Sequence, residues 1–105
     1  MTFTTPGKIA VPTPGTPVRL TTDATITCHQ IVFSPVPGNT GNVHIKYGRS
    51  LAAPVIMRSF LPAPASGFID EHCIATDMTN PLYPADFYVD AAVATEGLNV
   101  YWVAE

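Results

Sequence analysis

Charge is what this chain has least of. Asp, Glu, Lys and Arg make up only 12% of its 105 residues, about half the usual share for a soluble domain. Its basic residues, Lys8, Arg19, Lys46, Arg49 and Arg58, are scattered, so there is no electrostatic footprint for nucleic acid. Long apolar runs are also missing, and no stretch approaches the roughly 20 residues a helix needs to cross a bilayer. The opening MTFTTPGKIAVPTPG has neither the basic nor the apolar segment of an export signal, so a chain made and used without export is expected. Cysteine is scarce: only Cys28 and Cys73 occur. Reduced thiols are then the default. Each lies in an apolar or alternating stretch, where cysteine behaves as a small core residue. Whether the two form a disulfide stays open, because sequence does not show if their Cβ vectors meet.

What the chain does have is proline and glycine. Eleven prolines and seven glycines run from end to end, and no window of a dozen residues keeps a helical apolar period without one of them. Strand signals recur instead. The opening segment predicts an extended arm with a short strand at Lys8–Val11. Pro17–Thr21, Ile26–Ser34, Asn42–Gly48, Ala53–Phe60, Phe68–Asp70, Cys73–Ala75, Asp86–Ala91 and Leu98–Val103 follow, with Pro- and Gly-rich turns between them. Within Asn42–Gly48, Val43, Ile45 and Tyr47 alternate cleanly with His44 and Lys46. Ile26–Ser34 is apolar on both sides, which fits a central strand or one with a bulge. In the last two dozen residues, two aromatic and β-branched runs flank Thr95-Glu96-Gly97, and these read as a hairpin or two consecutive strands. Seven or eight short strands at about ten-residue intervals predict a small all-β antiparallel sandwich or jelly-roll-like barrel. The expected organisation is an extended N-terminal arm, 1–14, and one β-sandwich domain, 15–105. With 47% hydrophobic residues and so few charges, the surface is suited to packing against a partner.

Nothing in the spacing compels chemistry. Cys28-His29, His44 and His72-Cys73 are the residue types of a zinc site. However, neighbours on a strand point to opposite faces, and no C-x-x-C or H-x-x-x-H spacing occurs. No nucleophile elbow places a serine or thiol beside a base. The adjacent acids Asp70-Glu71 read as solvated loop residues. Gly38-Asn39-Thr40-Gly41 lacks the Lys-Ser/Thr ending of a phosphate loop. No catalytic residue, metal or cofactor is therefore expected. Along the terminal strands Phe87 and Val89 oppose Tyr88 and Asp90, while Val100 and Trp102 oppose Tyr101 and Val103. One side of each strand should be core. Tyr88 and Tyr101 on the other side would give an exposed aromatic face, and with Trp102 they suggest a sugar-binding platform as an alternative.

The order Gly15-Thr-Pro-Val-Arg-Leu20, the strand Cys28–Phe33, Asn39-Thr-Gly-Asn-Val43 and Lys46-Tyr-Gly48 is similar to small β-sandwich virion proteins of tailed bacteriophages. Pro84–Asp90, a short Gly loop and Leu98–Tyr101 complete the pattern. These proteins include capsid decoration (cement) proteins. Pro62–Pro81, rich in proline and carrying His72-Cys73, departs from the pattern. The resemblance implies a non-enzymatic structural protein made in the host cytoplasm. It would bind the major capsid protein on the outer surface of the head, as a homotrimer at local threefold positions. Many copies would strengthen the shell through avidity. The expected contact is the arm, with Phe3, Ile9, Val11 and Pro12 reaching a neighbour by strand addition or as an ordered peptide. A neck, tail or fibre component is the alternative within the virion.

Overall fold

The structure is a computed structural model that describes residues 2–48, 54–62, 71–76 and 80–104, with the backbone alone at 2–5 and 104. It is built almost wholly of strands: β1 Thr2–Ala10, β2 Val18–Arg19, β3 Gln30–Pro35, β4 Val43–Tyr47, β5 Val55–Phe60, β6 His72–Ala75, β7 Phe87–Ala91 and β8 Gly97–Ala104. One 3₁₀ turn, Pro84–Asp86, leads into β7. The strands form two four-stranded sheets, β1-β8-β3-β6 and β2-β7-β4-β5, and every pairing is antiparallel. This is the small all-β sandwich expected from the strand spacing.

Pairings β1·β8, β2·β7, β3·β6 and β4·β5 are nested one inside the next. A long hairpin rolled into two sheets gives that nesting, and it is the winding of a jelly roll. Among the described residues, only β4 and β5 are consecutive strands of one sheet. Every other connection crosses between the sheets, which suits the short, Pro-punctuated segments that the sequence supplies.

Alternation along each strand fills the space between the sheets. Ile31 and Phe33 of β3, Leu98, Val100 and Trp102 of β8, Val43 and Ile45 of β4, and Phe87, Val89 and Ala91 of β7 form one buried cluster with Val11, Leu20, Cys28 and Phe60. Phe33 and Phe87 meet across the sheets with ring centroids 6.4 Å apart, a tilted contact that adds to burial. Burying each such side chain contributes roughly 1.5–3 kcal/mol. The inward sides of β7 and β8 are core, as expected.

Three differences from the sequence reading concern how the strands are used. The C-terminal pair is two consecutive strands, the second of the two readings, and not a hairpin, because β7 lies in the second sheet and β8 in the first. Ala92–Glu96 crosses between them, with Thr95 in the left-handed region at φ 70°, a conformation that costs a non-glycine residue about 1 kcal/mol. In the second difference, the regular part of the Ile26–Ser34 run begins only at Gln30. Cys28 makes an isolated bridge with Leu82, and a bend at His29 turns Cys28 into the core beside Ile31. The third difference is in the N-terminal segment, which is extended, as expected, but lies along this chain's own β8. Its register shifts between Thr4 and Gly7, where Gly7 takes φ +75°, so the irregularity falls where Pro6 cannot donate to the ladder. The expected strand Phe68–Asp70 and the connector 63–67 lie outside the described residues.

Candidate functional site

The residues that carry the resemblance build a corner of the fold. The β3–β4 crossover, which holds Asn39-Thr40-Gly41-Asn42, lies against the β7–β8 crossover. The Asn39 side-chain amide donates to the Gly97 carbonyl at 2.9 Å, and the Ala92 N–H donates to the Asn42 carbonyl at 2.9 Å. Glu96 accepts from the Thr40 N–H at 2.7 Å, the Thr40 hydroxyl at 2.8 Å and the Gly41 N–H at 2.9 Å. Val11 locks the same corner from β1, donating to the Glu96 carbonyl and accepting from the Thr95 N–H. Two crossovers running in opposite directions leave backbone groups without a ladder; Glu96 satisfies the Thr40 and Gly41 N–H donors, and Asn39 the Gly97 carbonyl. The pattern is thus explained by folding.

A polar row crosses the outer face of the second sheet. Register places Ser59, His44 and Asp90 side by side on β5, β4 and β7, and His44 Nδ1 lies 2.7 Å from the Ser59 hydroxyl. The arrangement has the residue types of a nucleophile, a base and an orienting acid. Its acid is engaged elsewhere: Asp90 Oδ1 accepts from the Gly15 and Ala91 N–H groups, and Oδ2 accepts from Lys46 Nζ at 2.8 Å. Burial alone would push the Asp90 carboxyl up, but the Lys46 ammonium and the two N–H groups outweigh it and hold the carboxyl below its ordinary value. The Gly41 and Thr40 N–H groups likewise hold Glu96 below its ordinary range. Depressed carboxyls stabilise the fold above their unfolded values, 3.8 for Asp and 4.5 for Glu, and that stability is lost as pH falls through the folded values. Unfolding midpoints are therefore expected to hold above about pH 5 and to fall steeply below about pH 4. Denaturant titrations should show this acid limb flattened in Asp90→Asn and Glu96→Gln, and variants that lose stability in parallel with the wild type would contradict it.

The aromatic residues do not form one face. Tyr88 lies on the second sheet, where Arg19 Nη2 donates to its hydroxyl at 2.7 Å and the Arg19 guanidinium stands 5.2 Å from its ring centre. Tyr101 is on the outer side of the first sheet, opposite Val32, and Trp102 is buried between the sheets. The exposed aromatic face expected from Tyr88 and Tyr101 is therefore corrected, since consecutive strands that belong to opposite sheets turn their outer sides in opposite directions.

The arm residues are also placed differently from expectation. Val11 is wholly buried in the core, and Ile9 is half-buried against it. Their apolar surface is already used by this chain, so they do not reach a neighbour while β1 is paired. Pro12 is exposed. The side chain of Phe3 lies outside the described residues. Cys28, buried, and Cys73, exposed, are free thiols, and among the described residues no three His, Cys, Asp or Glu side chains group as a metal site. Burial pushes the Cys28 thiol up to about 11, whereas Cys73 lies on the outer side of β6 and accepts from the Gln30 amide at 3.1 Å. A thiol reagent is expected to modify Cys73 in the native protein and Cys28 only after denaturation; fast labelling of both would contradict the placement.

What sequence reasoning missed is the edge of the second sheet. Val55, Ile56 and Met57 of β5 are exposed by 56%, 56% and 45%, and Leu61 just beyond by 73%. Tyr47, opposite Val55 on β4, adds to the same patch. The signal was present as a Val-Ile-Met run after Pro54 with no charge until Arg58. Compared with known proteins, the chain matches no family model, no curated protein and no solved structure.

Proposed function

We propose that the protein is a structural component of a tailed-phage virion that binds the outer surface of the capsid and stabilises the shell as a decoration protein. The observation that supports this reading best is the exposed apolar edge of β5 on a domain with so few charges. Such a surface favours association through backbone pairing and apolar burial. The sequence resemblance supplies the partner, the major capsid protein. Jelly rolls serve viral capsids and lectins alike, so the winding by itself does not choose between them. Against the carbohydrate reading, Trp102 is buried and the two tyrosines lie on different sheets, so these three aromatics form no common platform.

Removing the arm would not isolate the contact, because residues 2–10 pair with β8 and Val11 fills the core. The discriminating experiment is a stained gel of purified virions. A decoration protein is expected at a copy number rivalling the major capsid protein, and a few copies per particle would instead indicate the neck, tail or fibre.

A further inference from the structure

Strand β1 is the element that the sandwich can lose at least cost to the rest. It is an edge strand, and among the described residues β8 is its one partner in the sheet. Its ladder is broken between Thr4 and Gly7. Detaching it leaves the order β8-β3-β6 in place, and elements with few neighbours open at lower free energy than the core. What fastens β1 is therefore concentrated at its far end.

Two carboxylates meet there. Just past β1, the Val11 N–H donates to the Glu96 carbonyl at 2.9 Å, and its carbonyl accepts from the Thr95 N–H at 2.8 Å. The Glu96 side chain anchors that same backbone by accepting from the Thr40 N–H, the Thr40 hydroxyl and the Gly41 N–H. Lys8 of β1 adds its charge to the Glu96 carboxylate. Further along, the Gly15 N–H donates to Asp90 Oδ1 at 3.0 Å, and Asp90 belongs to β7 of the second sheet. The segment from Lys8 to Gly15 is thus held at both ends by an ionised carboxylate. From β4, Lys46 and His44 face Asp90, while β2, on the other side of β7, brings Arg19 opposite Tyr88.

We infer that Glu96 and Asp90 form an acid-sensitive clasp on the N-terminal strand, whose protonation frees β1 from β8 while the rest of the sandwich stays folded. Hydrogen bonds to an ionised carboxylate are roughly twice as strong as those to a neutral acceptor. Both carboxyls are held below their ordinary values, Glu96 by the Gly41 and Thr40 N–H groups and Asp90, against its burial, by Lys46 and the Gly15 and Ala91 N–H groups. The clasp is therefore closed above the unfolded values of 4.5 and 3.8 and opens as pH falls through the folded ones. Opening uncovers the edge of β8 and draws Ile9 and Val11 away from the core. The loss of stability in acid thereby acquires an order, with β1 first. The inference does not rest on the capsid reading, because it concerns the isolated chain.

Amide exchange resolved by strand, followed in steps from about pH 6 to about pH 3 and expressed as protection factors, tests it. Protection in β1 is expected to fall by about tenfold or more at a pH where β3, β4 and β7 keep theirs. At neutral pH, Glu96→Gln should lower β1 protection by about tenfold with those three strands unchanged, and Asp90→Asn should act in the same direction. Asp23→Asn is the control, since its carboxyl is also held low but bonds only to Thr25; it should leave β1 as in the wild type. Loss of β1 protection only in step with β3 and β7, in acid or in the variants, would overturn the assignment. So would a Glu96→Gln protein whose β1 is as protected as in the wild type.

Discussion

Gly97→Ala is expected to destabilise the protein by about 3 kcal/mol and to loosen β1 from β8. Gly97 begins β8 opposite Ala10. A Cβ built there would run into the Ile9 carbonyl oxygen and lie 2.8 Å from the Ile9 carbonyl carbon. The obstacle is backbone, which cannot rotate away as a side chain would. Relief requires β1 to move off β8, and that movement pulls Val11 from the core and breaks its two hydrogen bonds to the 95–96 corner. Gly38→Ala is the control. Its Cβ meets nothing within 4 Å, although φ is +93°, so its cost is confined to backbone conformation, about 1–2 kcal/mol. Urea denaturation of the two variants, with amide exchange across β1, separates the effects. Equal losses, or unaltered protection of β1 in Gly97→Ala, would show that the close approach at this seam is not what the alanine disturbs.

Trp102→Ala is expected to cost about 3–5 kcal/mol, while its neighbour Tyr101→Ala costs about 1 kcal/mol or less. The two residues are adjacent on β8 but point to opposite sides of the first sheet. Trp102 is 3% exposed in the core, and Tyr101 is 36% exposed on the outer side. A domain of this size is stable by roughly 5–15 kcal/mol, so the first change removes a large part of the margin and the second very little. Comparable losses for both would contradict the two-sheet arrangement, in which Trp102 faces the core and Tyr101 the outer side of the first sheet.

The same strand shows how far the sequence could be read. Alternation along Leu98–Val103 is a local property: it set Val100 and Trp102 on one side and Tyr101 and Val103 on the other, and the structure shows the first side to be core. Which strand β8 pairs with depends on contacts far apart in the chain. Thr95-Glu96-Gly97 between two apolar runs looks like a hairpin turn from local evidence alone. Its role as a crossover depends on Asn39, Thr40 and Gly41, more than fifty residues earlier. The arm failed for a related reason. Pro6, Gly7 and Pro12 suggest a segment with no internal partner, but the register shift at Thr4/Gly7 lets the strand continue past the proline. The β5 edge was legible as a Val-Ile-Met run without charge. Its edge position follows only from the pairing order β2-β7-β4-β5, which depends on contacts far apart in the chain.

These placements move the surface of interest from the chain's beginning to the β5 edge of its second sheet. The first and last strands, β1 and β8, are paired with each other and pack on the core. The structural role we propose on the virion draws on β5 and the sparsely charged surface around it. A reconstruction of the native particle tests this account most directly. It should show two-sheet sandwich density on the outside of the head, in numbers comparable to the major capsid protein. Sandwich density only at the neck, tail or fibres, or none in the particle, would contradict the account.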